Sequence, residues 1–154
     1  MRAKLDEQSV VKANTQFWEQ MLAMNLQTAS SSEESCIGMG HMLGSVNLGG
    51  VWKGRIEVRM DIRLAYEATA AMMMQAVETV GEADVLDATK EIANMIAGTL
   101  KSSLPRPCSM TVPESSIECG GHSGSGAEDT LVVGFFHAAG ALLVRVCEHE
   151  CDED

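Results

Sequence analysis

The sequence predicts a single-domain α/β protein, an α+β arrangement in mixed layers with a sheet whose strands are mostly hairpin-linked. Three observations carry that expectation. Three stretches space their apolar residues helically, one alternates apolar and charged residues from Trp52 to Ile62, and Gly and Pro punctuate the joins. The expected order is α-β-β-α-α-β-β-β over residues 1–154, with an N-terminal helical segment within 1–30 and a fraying acidic tail, 147–154.

The first helix is expected from Asp6 to Leu26, where Val10, Val11, Phe17, Trp18, Met21 and Leu22 form one apolar face. TASSSEES then reads as a loop, and Cys36 to Leu48 as a strand that turns at Gly49-Gly50. In the next strand Trp52, Ile56, Val58, Met60 and Ile62 alternate with Lys53, Arg55, Glu57, Arg59 and Asp61. That pattern predicts one buried and one wet face. Leu64 to Val80 is the second helix. Its Met72-Met73-Met74 run suggests either a soft-metal or promiscuous groove or, as the expectation adopted, flexible core filling. Asp84 is placed to cap a third helix, with Asp87 as the acidic member of a capping box, and Pro105 stops it. Cys108 to Cys119 reads as a strand whose Pro113 marks an edge or bulge. GGHSGSGAED is a loop, and Thr130–Ala138 and Ala141–Glu150 are strands around a turn at Gly140. No internal repeat is visible.

The bulk properties narrow the function. A formal charge of −11 leaves no basic stripe for phosphates, so nucleic acid is not an expected partner. The longest apolar run, LVVGFFHAAGALLVRV, is broken by glycines, His137 and Arg145, and reads as two buried strands rather than a membrane span. The start, MRAKLDEQ, lacks the apolar core of a secretory signal, and the five cysteines show no paired spacing. Reduced thiols in the cytoplasm are the expectation.

The third helix holds the one unusual pattern. On a wheel of about 100° per residue, Val85, Leu86, Thr89, Ile92, Ala93, Ile96 and Leu100 gather on a buried side. Asp84, Asp87, Glu91, Asn94, Gly98 and Lys101 form the opposite stripe, with Met95 at its edge. A solvated helix face is the ordinary meaning of such a stripe. Asn and Gly argue against it, because Ala or Lys would serve an exposed helix interior better. A carboxylate and an amide one turn apart, beside a bare Gly and an edge Met, would let another protein approach closely.

EIANMIAGTLK, Glu91 to Lys101, resembles the E-x-x-N helix of the CheC/CheX/FliY family of chemotaxis phosphatases, with Glu91, Asn94, Ile96, Gly98 and Lys101 matching. GSVNLGGVWKGRIEVRM is similar to the family's Gly-rich hairpin, and SMTVPESSIECG to the Pro-containing strand after its active helix. The likeness spans Gly38 to Val146. One E-x-x-N helix after an N-terminal helix is the CheX pattern, since CheC commonly carries two.

The resemblance implies a CheC/CheX-like fold and hydrolysis of the aspartyl phosphate on a CheY-like receiver. Asn94 would position the attacking water and Glu91 would contact the receiver's lysine. Packing on the helix surface, rather than the resemblance, points to close approach at Gly98, and Asp87, Met95, Gly98 and Lys101 are the expected docking residues. The chain would need no cofactor of its own, because magnesium would sit on the receiver, and a homodimer through sheet edges is implied. The rival expectation is a receiver-docking module without turnover. Cys147, His149 and Cys151 share a strand face and are zinc-type ligands, but their spacing is unlike a zinc knuckle and no metal is expected. Cys36 with His41 is a weaker candidate for nucleophilic chemistry, lacking any signature. His137 is expected to be a satisfied core or turn histidine. Repulsion between two acidic proteins should make association quicken with moderate salt, unless basic residues such as Lys90 and Lys101 dominate locally.

Overall fold

The computed structural model describes residues 5–28, 40–119 and 130–149. Helix α1, Glu7–Thr15, starts at Asp6, whose carboxylate accepts from the Ser9 amide at 2.8 Å. It continues as a π-helix, Gln16–Met21, and short strand β1, Gln27–Thr28, follows. Strands β2, Gly40–Gly50, and β3, Gly54–Asp61, form the central hairpin. Helices α2, Ile62–Met73, and α3, Glu82–Lys101, come next. Strands β4, Cys108–Met110, β5, Glu114–Cys119, β6, Thr130–His137, and β7, Gly140–Glu148, complete the chain.

All strand pairs are antiparallel, in the order β1-β6-β7-β3-β2, with β4 and β5 sharing the outer edge of β2. The three helices lie on one face. Between them and the sheet sit Trp18, Ile56, Val58, Met60, Leu64, Ile92, Ile96, Phe135, Leu142 and Val144. Burial of this apolar surface, at about 25 cal/mol per Å², is the main stabilising term. No helix among the described residues is long and apolar enough to cross a membrane.

Several expectations need correction. The wider π-turn alters the angular spacing of the first helix after Thr15, which buries Phe17 and Trp18 together and leaves Met21 60% exposed. The second helix ends at Met73, because Met74 takes a left-handed conformation (φ 55°, ψ 46°). Met74 is therefore 91% exposed, and only Met72 of the methionine run packs against the core. The β2–β3 ladder ends at the Leu48–Gly54 pair, so the connection takes in the expected Gly pair, with Gly50 at positive φ, but it is longer than a tight turn and Gly49 and Gly50 pair with β4. Asp84 is not the cap of α3: Gly81 is, and its amide donates to the Asp84 carboxylate at 3.0 Å from the third helical position. Helix α3 ends at Lys101, and 102–104 turn the chain before Pro105. Pro113 splits the expected 108–119 strand into β4 and β5.

The charged side of β3 is only partly wet: Lys53 is exposed, Arg55, Glu57 and Asp61 are half-buried, and Arg59 is buried. Arg59 is 5% exposed, because β3 is central and Leu43 and Leu143 stand opposite it on either side. Glu57 holds Arg59 at 2.6 Å and Arg55 at 2.7 Å, and Arg59 lies 3.8 Å from Glu118. The expected loops at TASSSEES and GGHSGSGAED, residues 36–39 of the first expected strand, and most of the acidic tail lie outside the described residues.

Candidate functional site

Helix α3 is built to hold one face still. Val85, Thr89, Ile92, Ala93, Ile96, Ala97 and Leu100 are buried against the sheet and the neighbouring helices, in keeping with the wheel; Leu86 is half-buried. The backbone is drawn unusually close to β2. A Cβ placed on Gly44 would meet the Thr89 carbonyl oxygen at 2.8 Å and the Ala93 Cβ at 3.1 Å. Gly44 thus sets the height of α3 above the sheet. Ser115, from β5, adds a side bond by donating to the Leu86 carbonyl at 2.8 Å. Neither contact is part of the motif. A glycine within a strand hints at close backbone approach, while nothing in the sequence marks Ser115.

The stripe opposite this anchored face is where the sequence places it. Asp87 and Glu91 are exposed, and Asn94, Gly98 and Lys101 are half-exposed. Met95 is half-buried and packs against the core at the stripe's edge. Glu91 and Asn94 are separated by about 4.5 Å along the axis and about 60° around it, so both side chains face one approaching surface. Neither has an intramolecular hydrogen-bond or ion-pair partner among the described residues. The carboxylate and the amide are available to a second molecule. A Cβ at Gly98 would meet nothing within 4 Å, so the fold itself does not require glycine there.

The stripe also has a charge direction. Glu82 and Asp84 occupy the first turn of α3 and Lys101 the last, the distribution that the helix dipole favours. Lys101 opens onto a cleft of about 760 Å³, lined with Gly98, Ser102, Arg106, Pro107 and Cys108. The sequence reading named Gly98 and Lys101 but missed Arg106, which joins them only through the path of the 102–107 turn.

The other candidates fare differently. Cys147 accepts a weak bond from Thr130 at 3.7 Å and His149 is exposed, while Cys151 lies outside the described residues. Among the described residues no group of three or more His, Cys, Asp or Glu side chains is placed to hold a metal ion. Cys36 is also outside them, and His41 is buried with Nε2 3.3 Å from Glu118. His137 is a turn histidine, its Nδ1 accepting from the Ala139 amide at 2.9 Å. Cys108, Cys119 and Cys147 are free thiols.

Comparison with known proteins adds a family to this geometry. The sequence model described as chemotaxis phosphatase CheX matches residues 42–125, more than half of the chain and all of α3. No curated protein matches by sequence. Among solved structures, the chemotaxis protein CheX from Vibrio vulnificus superposes with a TM-score of 0.76 at 18% identity, covering 97% of this chain and 100% of that one. The CheX–CheY–BeF3–Mg2+ complex from Borrelia burgdorferi gives 0.71 at 20% identity, covering 96% and 100%. FliY from Thermotoga maritima gives 0.60 at 12% identity, covering 94% and 92%. At these identities the structural likeness is one of fold.

Proposed function

The chain belongs to the family of the chemotaxis phosphatase CheX, and on that premise we propose that it hydrolyses the aspartyl phosphate of a CheY-like receiver domain. The observation that carries the reading is the pairing of Glu91 and Asn94. They are neighbours on a helix whose other face is fixed in the core, and both lack any partner within the described chain.

The chemistry asks little of the phosphatase. Water attacks phosphorus in line, the bond from phosphorus to the aspartyl carboxylate breaks, and the water's proton leaves with the phosphate. The receiver supplies the acyl phosphate and the magnesium that neutralises phosphoryl oxygens, as the Borrelia complex with Mg2+ suggests. Rate enhancement then comes from positioning. The Asn94 amide donates to and accepts from one water without changing its protonation state. Glu91 makes a charge-assisted contact with the receiver's lysine, which fixes the register of docking. Asp87, Met95, Gly98 and Lys101 complete the contact surface, with Gly98 as the flat place where the partner's backbone can come close.

A homodimer through sheet edges is part of the proposal. Among the described residues, the sheet ends at β1 on one side and at β4 with β5 on the other, where Val112 and Ile117 are exposed. A cytoplasmic setting follows from the receiver partner. The test is release of phosphate from a phosphorylated receiver by the parent, Glu91→Ala and Asn94→Ala proteins. Acceleration by the parent alone supports the mechanism. Tight binding without acceleration by the parent would make the protein a docking module.

A further inference from the structure

Among the described residues, the cleft at the C-terminal end of α3 gathers two basic side chains beside the Glu91–Asn94 stripe. Lys101 and Arg106 both line it, and no carboxylate among the described residues does. Neither cation has an ion-pair partner among the described residues. In a chain of net charge −11, two cations on one cleft, unpaired among the described residues, are a local reversal of the molecule's field.

The wall that carries Arg106 is held in place. Gly50, at φ +124°, ends β2 where a Cβ would lie 2.2 Å from the Pro107 carbonyl oxygen. That bare position lets the Pro107 carbonyl come in and accept from the Val51 amide at 3.1 Å. The next residue, Cys108, pairs with Gly50 in the ladder. Arg106 is therefore fixed at its C-terminal side to the central hairpin, and Lys101 is fixed by α3. Lys101 also lies seven residues beyond Asn94, two helical turns and about 10 Å along the same stripe.

We propose that this cleft receives carboxylate side chains on the surface of the phosphorylated receiver, about 10 Å from the phosphoryl group that Asn94 addresses. The inference rests on the phosphatase reading and adds a second docking point to it. Glu91 takes the receiver's lysine at one end of the stripe, while Lys101 and Arg106 take its carboxylates at the other. With opposite charges at its two ends, the stripe admits the partner in one direction along the helix and rejects the reverse. The local attraction also outweighs the repulsion between two acidic proteins, so association slows as salt is added, contrary to what net charge alone predicts.

The experiment uses the full chain and a phosphorylated receiver. Asn94→Ala serves as a background in which docking is measured without rapid turnover. Adding Lys101→Glu and Arg106→Glu to it should weaken receiver binding on the order of 10-fold, and Lys101→Gln with Arg106→Gln should weaken it by less. In the parent background the same charge reversals should raise KM more than they lower kcat. The parent's association rate should fall as ionic strength rises from about 0.01 to about 0.1 M, over which the screening length shrinks from about 30 to about 10 Å, and the reversed variant should lose that trend. Unchanged binding and KM in a protein whose parent is an active phosphatase would overturn the cleft's role alone. A parent that fails to accelerate dephosphorylation would overturn the phosphatase reading and the cleft's role with it. Inhibition by inorganic phosphate that disappears in the reversed variant, with receiver binding unchanged, would assign the cleft to a small anion and also overturn it.

Discussion

Gly44→Ala tests whether the height of α3 above the sheet sets the reaction geometry. The added Cβ would lie 2.8 Å from the Thr89 carbonyl oxygen, 3.0 Å from Thr89 Cγ2 and 3.1 Å from Ala93 Cβ. Ordinary contact begins near 3.4 Å, so strand and helix must part by roughly 0.6 Å. Overpacking of that kind costs about 1–3 kcal/mol. Asn94 follows Ala93 directly, so the amide moves with the helix backbone. A 1 Å misplacement costs on the order of 100-fold in rate, which puts the loss of kcat for this smaller shift on the order of 10-fold. Urea unfolding measures the first effect, and single-turnover dephosphorylation of a saturating phosphorylated receiver measures the second. Lowered stability with parental kcat would mean that the strand gives way and that Gly44 does not place Asn94. Parental stability would contradict the close approach itself.

Two other substitutions separate fold from function. Gly98→Ala meets open space, so it should raise stability by about 0.5–1 kcal/mol through helix propensity, yet lower kcat/KM because the methyl group enters the docking surface; a gain in both would remove Gly98 from that surface. Glu57→Gln probes the ion-pair cluster on the sheet face away from the helices. Burial there disfavours the charged carboxylate, but hydrogen bonds from Arg55 and Arg59 outweigh it and hold Glu57 below its usual 4.5. A lowered folded pKa stabilises fully above the unfolded value, and the contribution fades as pH falls through the folded one. Urea midpoints of the parent should therefore drop below about pH 4.5 more steeply than those of the variant, and parallel profiles would contradict the assignment.

The parts of this protein governed by local periodicity were legible in the sequence. The buried side of α3 from Val85 to Leu100 is where the 3.6-residue pattern puts it, and so is the outward stripe of Asp87, Glu91, Asn94, Gly98 and Lys101. The alternation in β3 correctly assigned Ile56, Val58 and Met60 to the core. Its error concerned the other side, because burial of Arg59 depends on strands far away in sequence, β7 on one flank and β2 on the other. Arg145, on β7, is hidden for the same reason and is 4% exposed. The methionine run was misjudged because only Met72 falls on the inward side of α2, and the left-handed conformation at Met74 ends the helix before another turn can bury its neighbours. Contacts that bring distant residues together, such as Gly44 against Thr89 and Ser115 against Leu86, leave little trace in any local pattern. Arg106 reached the cleft by the same kind of route.

The most direct measurement is the single-turnover rate of receiver dephosphorylation by Asn94→Ala beside the parent, with binding of the phosphorylated receiver followed in parallel. Loss of the water-positioning amide should slow turnover on the order of 100-fold, about 2.7 kcal/mol in barrier, while the complex still forms. A variant that clears the acyl phosphate as fast as the parent would show that Asn94 does not hold the attacking water.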